Sequence, residues 1–106
     1  MTLNEFQEKA KSTDNYTNHT QALMALVLGV SGEAGEVTEE FKKYIREAGM
    51  DFDELPIDFV KRVIEELGDV LWNIAVLADY LKVDLETVAL VNNKKLDERY
   101  GNGKNI

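Results

Sequence analysis

The stretch VIEELGDVLWNIAVL, residues 63–77, decides the fold, because its apolar residues recur at helical spacing around two carboxylates, Glu66 and Asp69. A second pair with the same spacing, Glu33 and Glu36, stands in the earlier apolar stretch LVLGVSGEAGEV, residues 26–37. Residues three apart share one face of an α-helix, with Cβ atoms about 5–6 Å apart, so each pair presents two carboxylates to one point in space. Such carboxylates, facing an apolar interface, must find a partner or change their protonation state.

A divalent cation is the partner that four such carboxylates predict. The sequence supplies few fixed cations beside the two pairs, and Mg2+ prefers oxygen ligands. We therefore predict a metal site formed by Glu33, Glu36, Glu66 and Asp69, which takes Mg2+, with Mn2+ as the alternative ion. Four carboxylates exceed the one or two that a nucleotide-bound Mg2+ needs, which favours more than one ion per site.

The rest of the chain has the apolar periodicity of helices and poor strand signals, so we predict an all-α fold of four helices. The expected helices span residues 3–11, 20–48, 58–81 and 85–100. Thr2 and Glu5 have the spacing of a capping box at the start of the first helix. Gly49 is typical of the residue that ends a helix, and Asp84 of an N-cap. The polar residues 101–106 are expected to form a frayed tail.

A short connection, residues 50–57, makes the second and third helices an antiparallel hairpin. At about 1.5 Å per residue, the first acidic pair lies roughly 18–23 Å from the hairpin end and the second roughly 12–17 Å. The offset is about one turn, so the spacing permits a shared site without requiring one.

Glycines inside the predicted helices support a ligand site or a close helix contact. Each costs about 1 kcal/mol relative to Ala, which calls for a compensating role. The glycines concerned are Gly29, Gly32, Gly35 and Gly68. They could allow close approach of two helices, leave room for a ligand, or relieve crowding at a helix interface. The third helix is apolar on more than one face, so we also expect self-association, as a homodimer or homotetramer.

Length and composition bound the remaining possibilities. The 106 residues, 44% of them hydrophobic, predict a single domain over residues 1–106. Cys is absent, which excludes disulfides and thiolate chemistry. With no leader-like segment and no membrane-spanning run, we expect a cytoplasmic protein without a membrane partner. The net charge of -8 argues against a nucleic-acid polymer but not against a single nucleotide.

The two acidic pairs with their glycines, GEAGEV at 32–37 and EELGDVLW at 65–72, resemble the MazG-type nucleotide pyrophosphohydrolases, which carry an ExxE pair and a later ExxD pair. The segment NNKKLDERY, residues 92–100, is similar to the closing NxxKLxxRY of that family. The resemblance covers residues 26–100. After Tyr100 the chain departs from the family, which often continues with Pro-x-Gly-Phe, so a contact from the tail is not carried over.

The resemblance implies an all-α enzyme that uses Mg2+ to hydrolyse a nucleoside triphosphate to the monophosphate and pyrophosphate. The biological role that it suggests is house-cleaning of the nucleotide pool. It implies that Glu33, Glu36, Glu66 and Asp69 are the catalytic metal ligands. It further implies that the substrate is bound by Lys95 and Arg99 at the phosphates, by Asn92 near the metal or sugar, and by Tyr100 in support. Base and sugar preference are not implied.

Other readings of individual residues stay open. Trp72 and Asn73 lie within about a turn of Asp69 and are candidates for a base pocket, although Trp72 also suits core packing. Glu39, Glu40 and Glu65 are interpreted as surface charges, although Glu40 shares a helix face with Glu36, and Lys42, Lys43 and Arg46 are interpreted as a solvated face. His19, the single histidine, begins a helix outside both pairs, which excludes a di-iron bundle built on Glu-x-x-His. The alternative function is a non-enzymatic acidic helical module that dimerises through its apolar faces.

Overall fold

The computed structural model describes residues 1–49 and 51–101, which form four α-helices and no strand. The helices are α1 (Leu3–Ser12), α2 (His19–Ala48), α3 (Ile57–Tyr80) and α4 (Leu85–Tyr100). The predicted all-α class is confirmed, and each helix end lies within one residue of its expected position. The predicted tail lies, beyond Gly101, outside the described residues. None of the helices in the described ranges combines the length and apolar character needed to cross a membrane.

The helix ends follow the capping signals of the sequence. The Thr2 side chain accepts from the backbone N–H of Glu5, and the Glu5 carboxylate accepts from the backbone N–H of Thr2, at 3.0 and 2.7 Å, which is the predicted capping box. Asp84 caps α4 by accepting from the N–H of Thr87 at 2.8 Å. Gly49, with φ of 82°, ends α2 in a conformation that side chains disfavour.

The chain divides into two compact units, and α3 contributes residues to both. The hairpin unit comprises the described residues of 16–74, and the terminal unit comprises 1–15 with the described residues from 75 onward. The single domain expected over the whole chain stays a prediction.

In the hairpin unit, α2 and the first part of α3 run antiparallel, as predicted. Gly29 of α2 lies against Asn73 of α3. Further along α2, Glu40 meets Arg62 and Tyr44 meets Phe59. Residue numbers thus rise along one helix as they fall along the other, which is the mark of an antiparallel pair.

Aromatic side chains hold the closed end of this hairpin. The Phe59 ring is 2% exposed, stacks on Tyr44 with 4.6 Å between ring centroids, and meets Phe41 edge-on at 5.0 Å. Such ring pairs contribute about 0.5–1.5 kcal/mol each beyond their area burial. The Tyr44 hydroxyl also donates a hydrogen bond to the backbone carbonyl of Asp51 in the connecting loop. These contacts fix where the loop leaves α2 and where α3 begins.

In the terminal unit, the buried side chain of Gln7 joins α1 to the end of α3 and the start of α4. Its Nε2 donates to the carbonyls of Ala75 and Val83, at 3.0 and 3.1 Å, and its Oε1 accepts from the N–H of Leu85 at 3.0 Å. A buried amide left without partners would be costly, so these bonds make Gln7 a specific bridge and not a misplaced polar residue.

The turn between α3 and α4 contains a backbone conformation that the sequence does not announce. Lys82 has φ of 65°, in the left-handed region, where glycine is usual. The following N–H, that of Val83, donates to the carbonyl of Ala78 at 2.9 Å, which completes a Schellman-type helix end. An L-residue in this region is strained by about 1–2 kcal/mol.

We expect Lys82→Gly to raise the free energy of unfolding by about 0.5–1 kcal/mol. The relief of left-handed strain exceeds the extra chain entropy, about 0.4–1 kcal/mol, that glycine gives the unfolded state. Thermal and urea unfolding measure the change. Lys82→Ala is the matched control, because it removes the same charge and keeps the strained φ. Equal stability of the two variants would contradict this explanation.

Candidate metal centre

Carboxylates from α2 and α3 converge in the hairpin unit. Oxygen atoms of Glu33, Glu66 and Asp69 all lie within 4.8 Å of one another. The antiparallel register explains the convergence, since Gly29–Asn73 and Glu40–Arg62 are contacts on either side of it. The structure therefore brings together three of the four carboxylates that the sequence singles out; we call them the acidic triad.

Glu36, the fourth predicted ligand, is outside the acidic triad. It lies on the same helix as Glu33, three residues on, and its side chain is exposed. Its charge nevertheless acts on the triad, because it is one of the carboxylates that raise the pKa of Glu66. A ligand role for Glu36 stays a prediction.

Electrostatic repulsion is concentrated on Glu66. Its pKa is raised above the ordinary value of 4.5, first by partial burial and then by the negative charges of Asp69, Glu36, Glu33 and Glu40. Glu33 and Glu66 are half-buried, whereas Asp69 is exposed. The site is thus open on one side. The packing of the two helices holds the like charges together against their mutual repulsion.

The donor set fits a hard divalent cation. All three groups of the triad are carboxylates, the ligand type that Mg2+ and Mn2+ accept. Oxygens on opposite sides of Mg2+ are about 4.2 Å apart, twice the usual ligand distance. The spread of at most 4.8 Å among the triad oxygens is close to that distance. Bound cation would also relieve the repulsion at Glu66.

Arg62 is a residue near the site that the sequence analysis did not single out. Its Nε lies 2.9 Å from Oε1 of Glu40, across the two helices. The Glu40 side chain is only 13% exposed, so its interpretation as a surface charge was wrong, whereas Glu39 and Glu65 are exposed as expected. The signal was present: Glu40 follows Glu36 by four residues and Arg62 precedes Glu66 by four, which places both beside the acidic pairs.

The helical glycines have two different roles. A Cβ at Gly29 would overlap Oδ1 of Asn73 and lie 2.9 Å from its Cγ, so this glycine permits the close approach of the two helices. At Gly32, Gly35 and Gly68, an added Cβ would meet nothing within 4 Å among the described residues. These three leave open space on the helices that carry the triad, which agrees with room for a ligand.

The base-pocket candidates Trp72 and Asn73 differ in burial. Trp72 is half-buried. Asn73 is 8% exposed, and its Nδ2 donates to the backbone carbonyl of Asp69 at 2.9 Å. Asn73 therefore supports the α3 turn that carries Asp69 and packs against Gly29. Contact of either residue with a base stays a prediction.

The residues implied to bind phosphate belong to the terminal unit. Asn92, Lys95 and Arg99 are exposed on α4 and, at spacings of three and four, share one face of that helix. Tyr100, at the end of α4, is 37% exposed. Their contact with substrate stays a prediction. Lys42, Lys43 and Arg46 of α2 are exposed, as expected for a solvated face.

Comparison with known proteins gives this acidic arrangement its context. The model of the MazG nucleotide pyrophosphohydrolase domain matches residues 21–103, which include all four acidic positions and α4. The uncharacterized protein YvdC of Bacillus subtilis (strain 168) is 48% identical over 40 residues, which is 38% of this chain and 38% of that protein. No solved structure matches the chain. Since the family model covers most of its length, the chain belongs to the family of MazG nucleotide pyrophosphohydrolase domains.

Proposed function

We propose that this chain hydrolyses a nucleoside triphosphate to the nucleoside monophosphate and pyrophosphate, in a reaction that depends on Mg2+, with Mn2+ as a substitute. The observation that carries the proposal is the convergence of Glu33, Glu66 and Asp69 from two helices of a segment that matches a nucleotide pyrophosphohydrolase family. Exposed carboxylate clusters occur without metals, but this one lies beside three helical glycines that leave open space.

The acidic residues have a definite task in this reaction. Mg2+, when bound, neutralises charge on the phosphate oxygens and makes pyrophosphate a better leaving group. The triad would hold the ion, and Glu36, exposed one turn away, would supply a further ligand or orient the attacking water. Four carboxylates are more than one nucleotide-bound ion needs, so we propose more than one ion per site.

Substrate contacts outside the metal centre complete the proposal. We assign the phosphates to Lys95 and Arg99, because the family resemblance runs through the segment that carries them and both are exposed cations. Asn92 and Tyr100 accompany them on α4. The net charge of -8 disfavours a polyphosphate in the absence of metal, so nucleotide binding should itself require the divalent ion.

Exposed apolar side chains support self-association. Leu23, Met24, Val27 and Leu28 line an open apolar groove on α2, and the last three are 55–69% exposed. We propose that a second copy of the chain covers such faces, in a homodimer or homotetramer. Dimerisation alone is also what the non-enzymatic helical module would show, so turnover of nucleotide is the observation that separates the two functions.

Phosphorus NMR of a reaction with a nucleoside triphosphate and Mg2+ should show a monophosphate and intact pyrophosphate. Canonical and modified nucleotides are assayed in parallel, since the base preference is open. Glu66→Gln and Asp69→Asn should lower the rate by orders of magnitude, because a loss of several kcal/mol of transition-state stabilisation costs about tenfold per 1.4 kcal/mol. A nucleoside diphosphate with orthophosphate as products would refute the assignment of the bond.

The same variants should separate folding from metal binding. In chelator near pH 7, Glu66→Gln should unfold at the same temperature as the wild type or higher, because it removes a carboxylate that its neighbours repel. A raised carboxyl pKa stabilises the fold below the unfolded pKa and loses that contribution as pH rises through the folded pKa, so the gain should vanish at acidic pH. Stabilisation by added Mg2+ should shrink. A lower melting temperature in chelator with an intact Mg2+ response would mean that the carboxylate is a structural partner.

Light scattering of the wild type should give the mass of a dimer or tetramer at micromolar concentration. Leu28→Glu should lower that mass, because the substitution places a charge in the apolar groove. Thr38→Glu adds the same charge at an exposed position further along α2 and should leave the mass unchanged. A fully active wild-type monomer would remove the case for a second copy.

A further inference from the structure

The ion pair between Arg62 and Glu40 joins a position near the first acidic pair to a position near the second. Glu40 lies four residues after Glu36, and Arg62 lies four residues before Glu66, so each is one helical turn from a carboxylate of the centre. The two helices are antiparallel, and Nε of Arg62 lies 2.9 Å from Oε1 of Glu40. The pair therefore bridges α2 and α3 on the hairpin-loop side of the acidic triad.

The two partners differ in their surroundings. The Glu40 side chain is 13% exposed and the Arg62 side chain 50% exposed. Glu40 follows Glu33 by seven residues, or about two helical turns, so its charge lies on the face of α2 that contributes to the triad. An uncompensated charge at Glu40 would attract a divalent ion to the triad, and an uncompensated charge at Arg62 would repel it. While both are present, their effects largely cancel.

We propose that Arg62 and Glu40 together set the affinity of the acidic triad for a divalent cation, with Arg62 offsetting the attraction that Glu40 adds. The inference rests on the proposed function for the identity of the triad as a metal centre. Arg62 acts through its charge and is not a ligand. Arg62 would thus weaken metal binding enough to keep the ion exchangeable, although the site is rich in carboxylates. An exchangeable ion helps a hydrolase to release products that carry phosphate oxygens.

Direct binding of Mn2+ in the absence of nucleotide tests the proposal. The signal of free Mn2+ in electron paramagnetic resonance gives the Kd of the wild type, Arg62→Met, Glu40→Gln and the double variant. At low ionic strength, Arg62→Met should tighten binding about threefold to tenfold, and Glu40→Gln should weaken it by a similar factor. The double variant should return to within about twofold of the wild type, because both charges are then absent.

Two controls separate charge from structure. Glu39 and Lys42 form an ion pair at 3.4 Å within α2, and both side chains are more than half exposed, so Glu39→Gln and Lys42→Met should change the Kd less than the matching variants of the Arg62–Glu40 pair. Arg62→Lys keeps the charge and should keep the wild-type affinity. At 1 M salt, where the screening length is about 3 Å, the differences among the variants should shrink.

The pattern of signs decides the outcome. If both single variants weaken Mn2+ binding and lower the melting temperature, the pair is only a structural link between helices and the proposal fails. Unchanged Kd values in all variants, or no Mn2+ binding by the wild type, overturn it as well. Opposite shifts without any nucleotide turnover would support this inference while the proposed hydrolase function fails. Turnover without the opposite shifts would leave that function standing and reject the inference.

Discussion

The register between α2 and α3 is the constraint on which the rest of the hairpin unit depends. The Phe59 ring stacks on Tyr44 at one end, and the missing side chain of Gly29 admits Asn73 at the other. Between these two fixed points, the helices bring the oxygens of the acidic triad within 4.8 Å of one another. A slip of α3 by one residue would turn each of its side chains by about 100° and would separate Glu66 from Glu33. Packing remote from the carboxylates therefore determines whether they form a site at all.

The packing of α2 against α3 brings the carboxylates together and must also overcome the repulsion between them. The raised pKa of Glu66 shows that like charges and partial burial disfavour the ionised state in the free protein. The Arg62–Glu40 pair adds one attractive contact between the same helices, and Asn73 supports the turn of α3 that carries Asp69. A cluster of groups that lowers stability in this way is typical of functional sites.

Much of this arrangement could be predicted from local sequence, and the misses have two causes, contacts between distant residues and the absence of a local signal. Helix ends, the Thr2 cap and the antiparallel hairpin follow from periodicity and capping residues, which act over a few positions of the chain. The partner of Glu40 is an arginine 22 residues away, and its identity depends on the register of two helices. The bridging role of Gln7 depends in the same way on partners that lie 68–78 residues away. The left-handed Lys82 was missed because glycine is the usual signal there.

These sequence separations bear on the order in which the chain folds. Closing a loop costs more entropy the longer it is, and non-local contacts slow folding. The hairpin unit needs only short loops, whereas the terminal unit must recruit α1 through Gln7 from the opposite end of the chain. We infer that the hairpin forms early and that α1 docks late. The carboxylates would then be assembled in a partly folded chain, before the ends of the protein come together.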